Sequence, residues 1–495
     1  MRFFGINQGP HDGGVACFDD DGELLLFSQT ERLTRKKSDG HAGDLNKILS
    51  LAKIDPLSKT DLFFGTWPSH YPYFLKEQLL PDGFFEKKCS KVSGFNPELQ
   101  VHFLNHHLCH VAASWMFRDF DLCEDCLYIA IDGMGVRADG SAGFYSAGVI
   151  SATKLQELDY ALDKFRFSPH YRLNRIAIPS TDPTLIAGKL MGLTGYIPQE
   201  QIRYLSNLPS VSSINMRIRS EGMTGHLMTQ CANLYYTYIC DIKNHLAKIL
   251  ETYSHKTIVV GGGAFLALEL NSWLIAQGRN LVFTPAVNDS GIALGSAAYG
   301  YFLAKGRWPK CLRTPYLQWH PADVRSNYLS PIKAAEFLFK DGILAVLIGK
   351  GEAGPRALGN RSLLARPSKE NARRVSVEIK GREFYRPVAP IVTDRDFANW
   401  FSGPQGYFMQ YRNHCTPQAK EIVPGVIHND NTSRAQVLRY RDHPWLYELL
   451  TEVGKLTGAE CLINTSLNGR GRPICNVSSD VTNELDLKTI QVVNF

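Results

Sequence analysis

Long apolar stretches are missing from this chain. No run of about 18 uninterrupted apolar residues occurs in its 495 positions, so no membrane-spanning helix is expected. The opening segment, MRFFGINQGPHDGG, has no basic stretch leading into an apolar one. No secretory signal is therefore expected, and the protein is assigned to the cytoplasm. Eleven cysteines are scattered without framework-like spacing, which suits reduced thiols and argues against disulfides. Cys123 and Cys126 form a lone CxxC, but no second pair or matching histidines complete a zinc site. Low-complexity segments are absent as well.

What remains is an ordinary globular composition, 44% hydrophobic and 21% charged, on a chain long for one domain and comfortable for two. The net charge of +6 is unevenly spread. From 316 to 495 there are 23 Lys and Arg against 18 Asp and Glu, but before that 31 against 30, so the C-terminal third holds nearly all the excess. Such a bias suits small phosphate ligands and permits nucleic acid.

Periodicity outlines the elements. MRFFGIN, GPHDGG and VACFDDDGELLLFSQ read as strand, turn and strand, with Asp21-Gly22 as a hairpin turn. CLYIAIDGMG repeats the logic: a buried strand runs into Asp132 and a glycine turn, with GFYSAGVIS as its hairpin partner. Leu227 to Glu251 reads as a long helix. KTIVVGGGAFLALELNSWLIAQ reads as strand, triple glycine and helix, and LVFTPAVNDSGIALGSAAYGYFLAK as strand, loop and small-residue helix. The aperiodic, proline-bearing stretch at 313–328 reads as a linker. It divides an α/β domain over 1–312 from a mixed α+β region over 329–495.

Four constellations carry chemistry. His11-Asp12 sits in a turn flanked by Gly9, Gly13 and Gly14, where the backbone can approach a ligand and a histidine can move a proton. In NHHLCHVAAS, His106 and His110 are four apart and share one helical face. Joined by Asp132 and Asp289 from other loops, they would suit Fe(II), Zn(II) or Mn(II); the other reading is a helix with hydrogen-bonded histidines. Gly261, Gly262 and Gly263 follow a strand and precede a helix, where backbone N–H groups can face an anion or nucleoside. A close strand–helix crossing is the other reading. Finally, Arg356, Arg361, Arg366, Lys380, Arg382 and Arg386 fall within 31 residues interleaved with proline and glycine, and Arg434 and the NTSLNGRGRP turn follow. Converging arginines in irregular backbone favour phosphate or carboxylate recognition.

These motifs together resemble the NodU-type O-carbamoyltransferases, which include nodulation-factor and antibiotic-tailoring enzymes. The resemblance runs almost end to end: HDGG, TERLTRKKS, HHLCH, IDGMG, GKLMGLTGY, VVGGGAFLALELN, NDSGIALGSA, GPRALGNRS, FYRPVAP, TSRAQ and LINTSLN occur in the family's order. It implies an actin/sugar-kinase-like two-lobed domain, similar to the tRNA threonylcarbamoyl transferase, followed by a smaller YrdC/Sua-like domain. It further implies that carbamoyl phosphate and ATP give a carbamoyl-adenylate, whose carbamoyl group passes to an acceptor hydroxyl at a metal site, Fe(II) being the family's metal. By the same resemblance, His106, His110, Asp132 and Asp289 are the metal ligands, and His11, Asp12 and Lys37 belong to the catalytic set. Gly261 to Gly263 touch nucleotide. Lys380, Arg386, Arg434, Asn464 and Ser466 hold carbamoyl phosphate and ATP. Two departures stand out: Arg472 where the family has Glu, and Gly351-Glu352-Ala353 where an Arg-Met-Glu-Phe-like run is usual.

The expected acceptor is a small-molecule hydroxyl of antibiotic or sugar type. A hydroxymethylated base in DNA is the alternative acceptor, and an N-carbamoyl enzyme acting on tRNA is a further one. A non-catalytic nucleotide-binding regulator is disfavoured by the survival of His11 and all four metal-type residues. No membrane partner is expected, and the oligomeric state stays open, a homodimer included.

Overall fold

The computed structural model describes residues 1–8, 11–40, 45–58, 60–66, 85–88, 100–119, 121–122, 124–136, 142–161, 186–321, 327–487 and 490–495. Gly9 and Cys123, singled out above, lie outside the described residues.

Both halves of the α/β region are built on one plan. The first sheet holds β1 (Phe3–Asn7), β2 (Gly14–Phe18), β3 (Leu24–Gln29), β4 (Leu62–Thr66), β5 (Phe85–Lys88) and β6 (Gln100–Leu104), in the order β3-β2-β1-β4-β6-β5. The second holds β7 (Cys126–Val136), β8 (Ala142–Ile150), β9 (Leu155–Ala161), β10 (Thr257–Gly261) and β11 (Asn280–Val282), in the order β11-β10-β7-β8-β9. In each, three antiparallel strands joined as hairpins meet parallel strands: β1 pairs in parallel with β4 as β7 does with β10. The turn at Asp21-Gly22, with Gly22 at φ +83, closes the β2–β3 hairpin as its sequence demands.

Two helices, His106–Trp115 and Ile292–Lys305, cross between the sheets, and small residues let them do so. A Cβ on Gly295 would lie 1.8 Å from Cys109 O, and one on Gly5 would lie 1.9 Å from Ala293 O. The aromatic side chains of Phe3, Phe18 and Phe27 are essentially fully buried around this crossing. Each contributes roughly 1.5–3 kcal/mol relative to exposure. The helix Gly225–Thr252 is capped by Thr224, whose hydroxyl accepts from Leu227 N, and it buries Leu227, Cys231, Leu234, Tyr238, Ile242 and Ile249 along one stripe. No helix among the described residues is long and apolar enough to cross a membrane.

The C-terminal unit is a mixed sheet of β12 (Ile343–Leu347), β13 (Arg361–Ala365), β14 (Ala389–Thr393), β18 (Gln436–Leu438), β19 (Cys461–Ser466) and β20 (Ile490–Asn494), ordered β18-β14-β19-β13-β12-β20. A small sheet of β15 (Phe401–Ser402), β16 (Asn413–Cys415) and β17 (Thr432–Ser433) flanks it. The fold class is the expected one, a two-lobed α/β unit followed by a smaller α+β unit.

The segment read as a linker is, over its described part, a packed strap. Gln318 is fully buried; its N–H donates to Gly351 O at 3.0 Å, and its Oε1 accepts from Gln29 N at 2.8 Å. Trp319 N donates to Phe27 O at 2.8 Å. Missing periodicity marked irregular backbone, and here irregular backbone is satisfied by backbone carbonyls from both units.

Candidate metal centre and anion site

Asn105 starts the histidine helix. Its side chain accepts from the backbone N–H groups of His107 at 3.0 Å and Leu108 at 3.4 Å. The four-residue spacing then stacks His106 over His110, and their Nε2 atoms lie 3.1 Å apart. Asp132 arrives from β7, where the ladder with β8 shifts register between Ile131 and Gly135; such an irregularity re-aims a side chain that a regular strand would point elsewhere. Asp289 comes from the turn ahead of the Ile292–Lys305 helix. Asp132 Oδ2 is 3.3 Å from His106 Nε2, and Asp289 Oδ1 is 3.2 Å from His110 Nε2. One donor atom from each of the four residues falls within 4.8 Å of the others.

Burial would push both imidazoles toward the neutral form, yet the paired carboxylates outweigh it, raising His110 and holding His106 up at about 10. Reciprocally, burial pushes Asp132 and Asp289 up and the histidines hold both well below the usual carboxylate range. Two imidazole nitrogens and two carboxylate oxygens converging on one point form a donor set that fits a divalent transition-metal ion.

The triple glycine serves this centre first. Gly263 N–H donates to Asp132 Oδ1 at 2.9 Å. A Cβ on Gly261 would lie 2.8 Å from the His110 Cβ, and one on Gly262, at φ +94, only 2.2 Å from Ile131 O. The close crossing considered above is therefore real, and it fixes a metal-type carboxylate. Gly262→Ala is expected to destabilise the fold by roughly 2–3 kcal/mol, read as a lowered midpoint in chemical denaturation. An unchanged midpoint would mean that the loop moves aside freely.

The His11-Asp12 turn lies against the same cluster. His11 Nδ1 is 3.2 Å from Asp12 Oδ2 and 3.6 Å from Asp289 Oδ2, while about half of its side chain, 48%, faces solvent. The Asp12 hydrogen bond, opposed by burial and aided by the charges of Asp289 and Asp132, raises His11 to about 9. Two asparagines that the sequence reading missed brace the turn. Asn7 Nδ2 donates to Asp12 O at 2.7 Å and to Asp289 O at 3.2 Å, and Asn288 Nδ2 donates to Asp12 Oδ2 at 3.3 Å. Asn7 ends a strand and Asn288 precedes a metal-type aspartate, but neither position has a distinctive sequence signal. Lys37 points its ammonium to Glu31 Oε2 at 3.4 Å.

In the C-terminal unit the cations divide. Arg361, 2% exposed, donates to the carbonyls of Ile348, Gly349, Asn360 and Asn476 at 2.9–3.1 Å, so it is consumed inside the fold. Arg366 binds Asp341 on the surface at 2.7 Å. These two do not join the expected polyanion pocket. Arg356, Arg382, Arg386 and Arg434 do crowd together. Burial, then the charges of Arg356, Arg382 and Arg386, pull Arg434 well below its ordinary range, and burial with Arg386 brings Arg356 down to about 10. Glu383 compensates Arg386 at 3.1 Å, whereas Arg434 Nε is buried without a hydrogen-bond partner. Half-buried like charges of this kind call for an anion. Lys380 Nζ donates to Ser466 Oγ at 2.9 Å and also to Asn468 Oδ1, so Lys380 and Ser466 are joined. Asn464 Nδ2 donates to Gln436 Oε1 at 2.7 Å, and its Oδ1 is buried and unpartnered.

Comparison with known proteins agrees with this arrangement. Residues 335–495 match the family model described as the carbamoyltransferase C-terminus. Nodulation protein U of Azorhizobium caulinodans is 32% identical over 93% of this chain and 92% of its own length. Nodulation protein NolO of Bradyrhizobium diazoefficiens is 26% identical over 77% of each. The chain belongs to the NodU-type carbamoyltransferase family. It is an O-carbamoyltransferase.

In this carbamoyltransferase the C-terminal unit grips both lobes. From the second lobe, Lys189 Nζ reaches Glu383 at 3.1 Å, and a Cβ on Gly195 would strike the His428 ring at 1.8 Å. The GKLMGLTGY motif is thus a docking helix end, held beside the Arg386 loop. From the first lobe, Arg35 donates to Ile474 O, Pro473 O and Glu484 Oε1 at 2.6–2.9 Å. The departure at Arg472 falls on this seam, its Nη1 donating to Arg35 O at 3.4 Å. The other departure holds a residue whose role the sequence did not disclose. Glu352 is fully buried, and its Oε1 accepts from the N–H groups of Leu358, Asn360 and Arg361 at 2.7, 2.8 and 3.0 Å.

Proposed function

We propose that this carbamoyltransferase uses ATP to activate the carbamoyl group of carbamoyl phosphate and delivers it to a hydroxyl of a small molecule. In the first half-reaction water releases phosphate from carbamoyl phosphate. The resulting carbamate oxygen attacks the α-phosphorus of ATP and expels pyrophosphate, leaving carbamoyl-adenylate. In the second, the acceptor oxygen attacks the carbamoyl carbon, AMP departs, and the acceptor loses its proton.

What supports this reading is that one chain carries both a four-residue metal-type cluster, His106, His110, Asp132 and Asp289, and an anion-seeking arginine cluster in which Arg434 Nε is buried without a hydrogen-bond partner. The arginines supply donors for phosphate oxygens, and Lys380, its ammonium held by Ser466 and Asn468, adds a fixed positive charge. When bound to His106, His110, Asp132 and Asp289, a divalent ion, Fe(II) by family expectation and Mn(II) or Zn(II) by ligand chemistry, supplies Lewis acidity where negative charge develops. His11 turns Nδ1 toward Asp12 and leaves Nε2 for the acceptor. Its raised pKa comes partly from Asp289 and Asp132, so neutralising those carboxylates returns it toward the range where it accepts a proton.

The test is mass spectrometry after incubation with ATP, carbamoyl phosphate and Fe(II), against aminoglycosides and, in parallel, hydroxymethylcytosine DNA and tRNA. A gain of about 43 Da, the mass of an added CONH, on a small molecule is the expected result. A gain on a nucleic acid would move the acceptor class, and the absence of AMP and pyrophosphate would sink the adenylate route. His11→Ala is expected to lower kcat roughly 10²–10⁴-fold while metal content, read by elemental analysis, stays at the wild-type level.

A further inference from the structure

Two residues before Arg356, Gly354 is held on every side by the two-lobed unit. Its N–H donates to Gln29 Oε1 at 3.0 Å, and its carbonyl accepts from Arg32 Nη2 at 2.8 Å. At φ +86, a Cβ there would lie 2.2 Å from Pro285 O and 2.9 Å from the Ala286 Cα, on the loop that leads to Asp289. Gly354 is therefore the point where the arginine-bearing loop touches both the TERLTRKKS motif and the approach to the metal-type centre.

Arg32 is an unusual residue to find there. Its side chain is fully buried, and only Nη2 has a hydrogen-bond partner; Nε and Nη1 have none, Nε lying 3.7 Å from Glu31 Oε1. A buried guanidinium this poorly bonded is costly and is tolerated only among opposite charges. Two buried carboxylates act on it, Glu31 from its own helix and Glu352 from the loop it holds. Glu352 in turn ties three backbone N–H groups at the end of that loop, those of Leu358, Asn360 and Arg361, and its Oε2 has no hydrogen-bond partner. A hydrophobic pair of similar volume would satisfy packing at lower cost, so packing alone does not account for the charges.

We infer that Arg32 and Glu352 are positioning residues: they clamp Gly354 between the two units and so set where Arg356 stands relative to the metal-type centre. Neither touches substrate. Their effect passes through the backbone of Gly354 and Pro355. The inference rests on the reading of the arginine cluster as the carbamoyl phosphate site.

The experiment measures KM for carbamoyl phosphate by pyrophosphate release, together with Tm, in full-length R32M, R32K and R32M/E352Q, with R434A alongside. R32M leaves a buried carboxylate without its cation, so Tm falls, and KM rises about tenfold because Gly354 O has lost its donor. In R32M/E352Q no charge is left alone, yet Gln still offers an oxygen to the three N–H groups, so Tm returns while KM stays high. R32K restores one donor to Gly354 O and brings KM back toward wild type. If KM and Tm recover together in the double variant, Arg32 and Glu352 are scaffold only and the inference is overturned. If KM never moves in R32M or the double variant while R434A raises it, the clamp is wrong and the anion site stands. If R434A itself leaves KM unchanged, the reading of the arginine cluster fails first. Should R32M not fold, the double variant carries the comparison alone.

Discussion

His110→Ala is expected to strip the protein of its divalent ion and to lower carbamoyl transfer about a thousandfold, the equivalent of roughly 4 kcal/mol of transition-state stabilisation. His110 is 1% exposed and packs against Gly261, so no solvent ligand reaches its place without reorganisation. Removing it leaves one imidazole with two carboxylates that both owe their lowered pKa in part to the histidine pair. The remaining like charges repel, and the pair is expected to hold a proton to higher pH than in the wild-type protein. Elemental analysis after gel filtration reads the metal, and acceptor carbamoylation reads transfer. Pyrophosphate release from ATP and carbamoyl phosphate is expected to persist, because the arginine cluster lies in the other unit. If the variant keeps both metal and transfer, the four side chains are a self-compensating ion network and the metal-centre reading is lost.

Much of this is legible in the sequence alone. Strands such as Phe3–Asn7 and helices such as Gly225–Thr252 follow from local periodicity and turn chemistry, and Asp21-Gly22 closes its hairpin because few other residues accept that backbone. The spacing of His106 and His110 also works locally. Their meeting with Asp132 does not, because it depends on a register shift in β7 that no residue type announces. The arginines mark the sharper limit. Arg361 and Arg434 look alike in sequence, yet one is surrounded by carbonyls and the other by like charges, and only long-range packing decides which. Glycine spacing misleads in a related way. Gly349, Gly351 and Gly354 have the spacing of a dinucleotide-binding turn and follow β12, but the chain then enters β13 instead of a helix. Of the three, Gly354 is held by Gln29 and Arg32, partners more than 300 residues away.

Arg434→Ala is expected to raise KM for carbamoyl phosphate about a hundredfold, since a charge-assisted contact to a dianion in a buried site is worth roughly 2–3 kcal/mol. The sign of its effect on stability separates binding from scaffolding. Arg434 stands among Arg356, Arg382 and Arg386, and burial and those charges all act against its cationic form. With no anion present, its removal relieves repulsion, while loss of the packed stem works in the opposite direction. Absolute Tm is therefore the weaker readout, and the shift on adding carbamoyl phosphate is the stronger. The wild-type protein should gain stability as the dianion neutralises the cluster, by mass action on the folded state. The variant should gain little at the same concentration. Raised salt should blunt the wild-type shift only modestly, because a buried pair is screened far less than a surface one. A variant that melts earlier but keeps both the ligand-induced shift and the wild-type KM would make Arg434 a structural residue, and the anion would have to be held by Lys380, Arg386 and Ser466 without it.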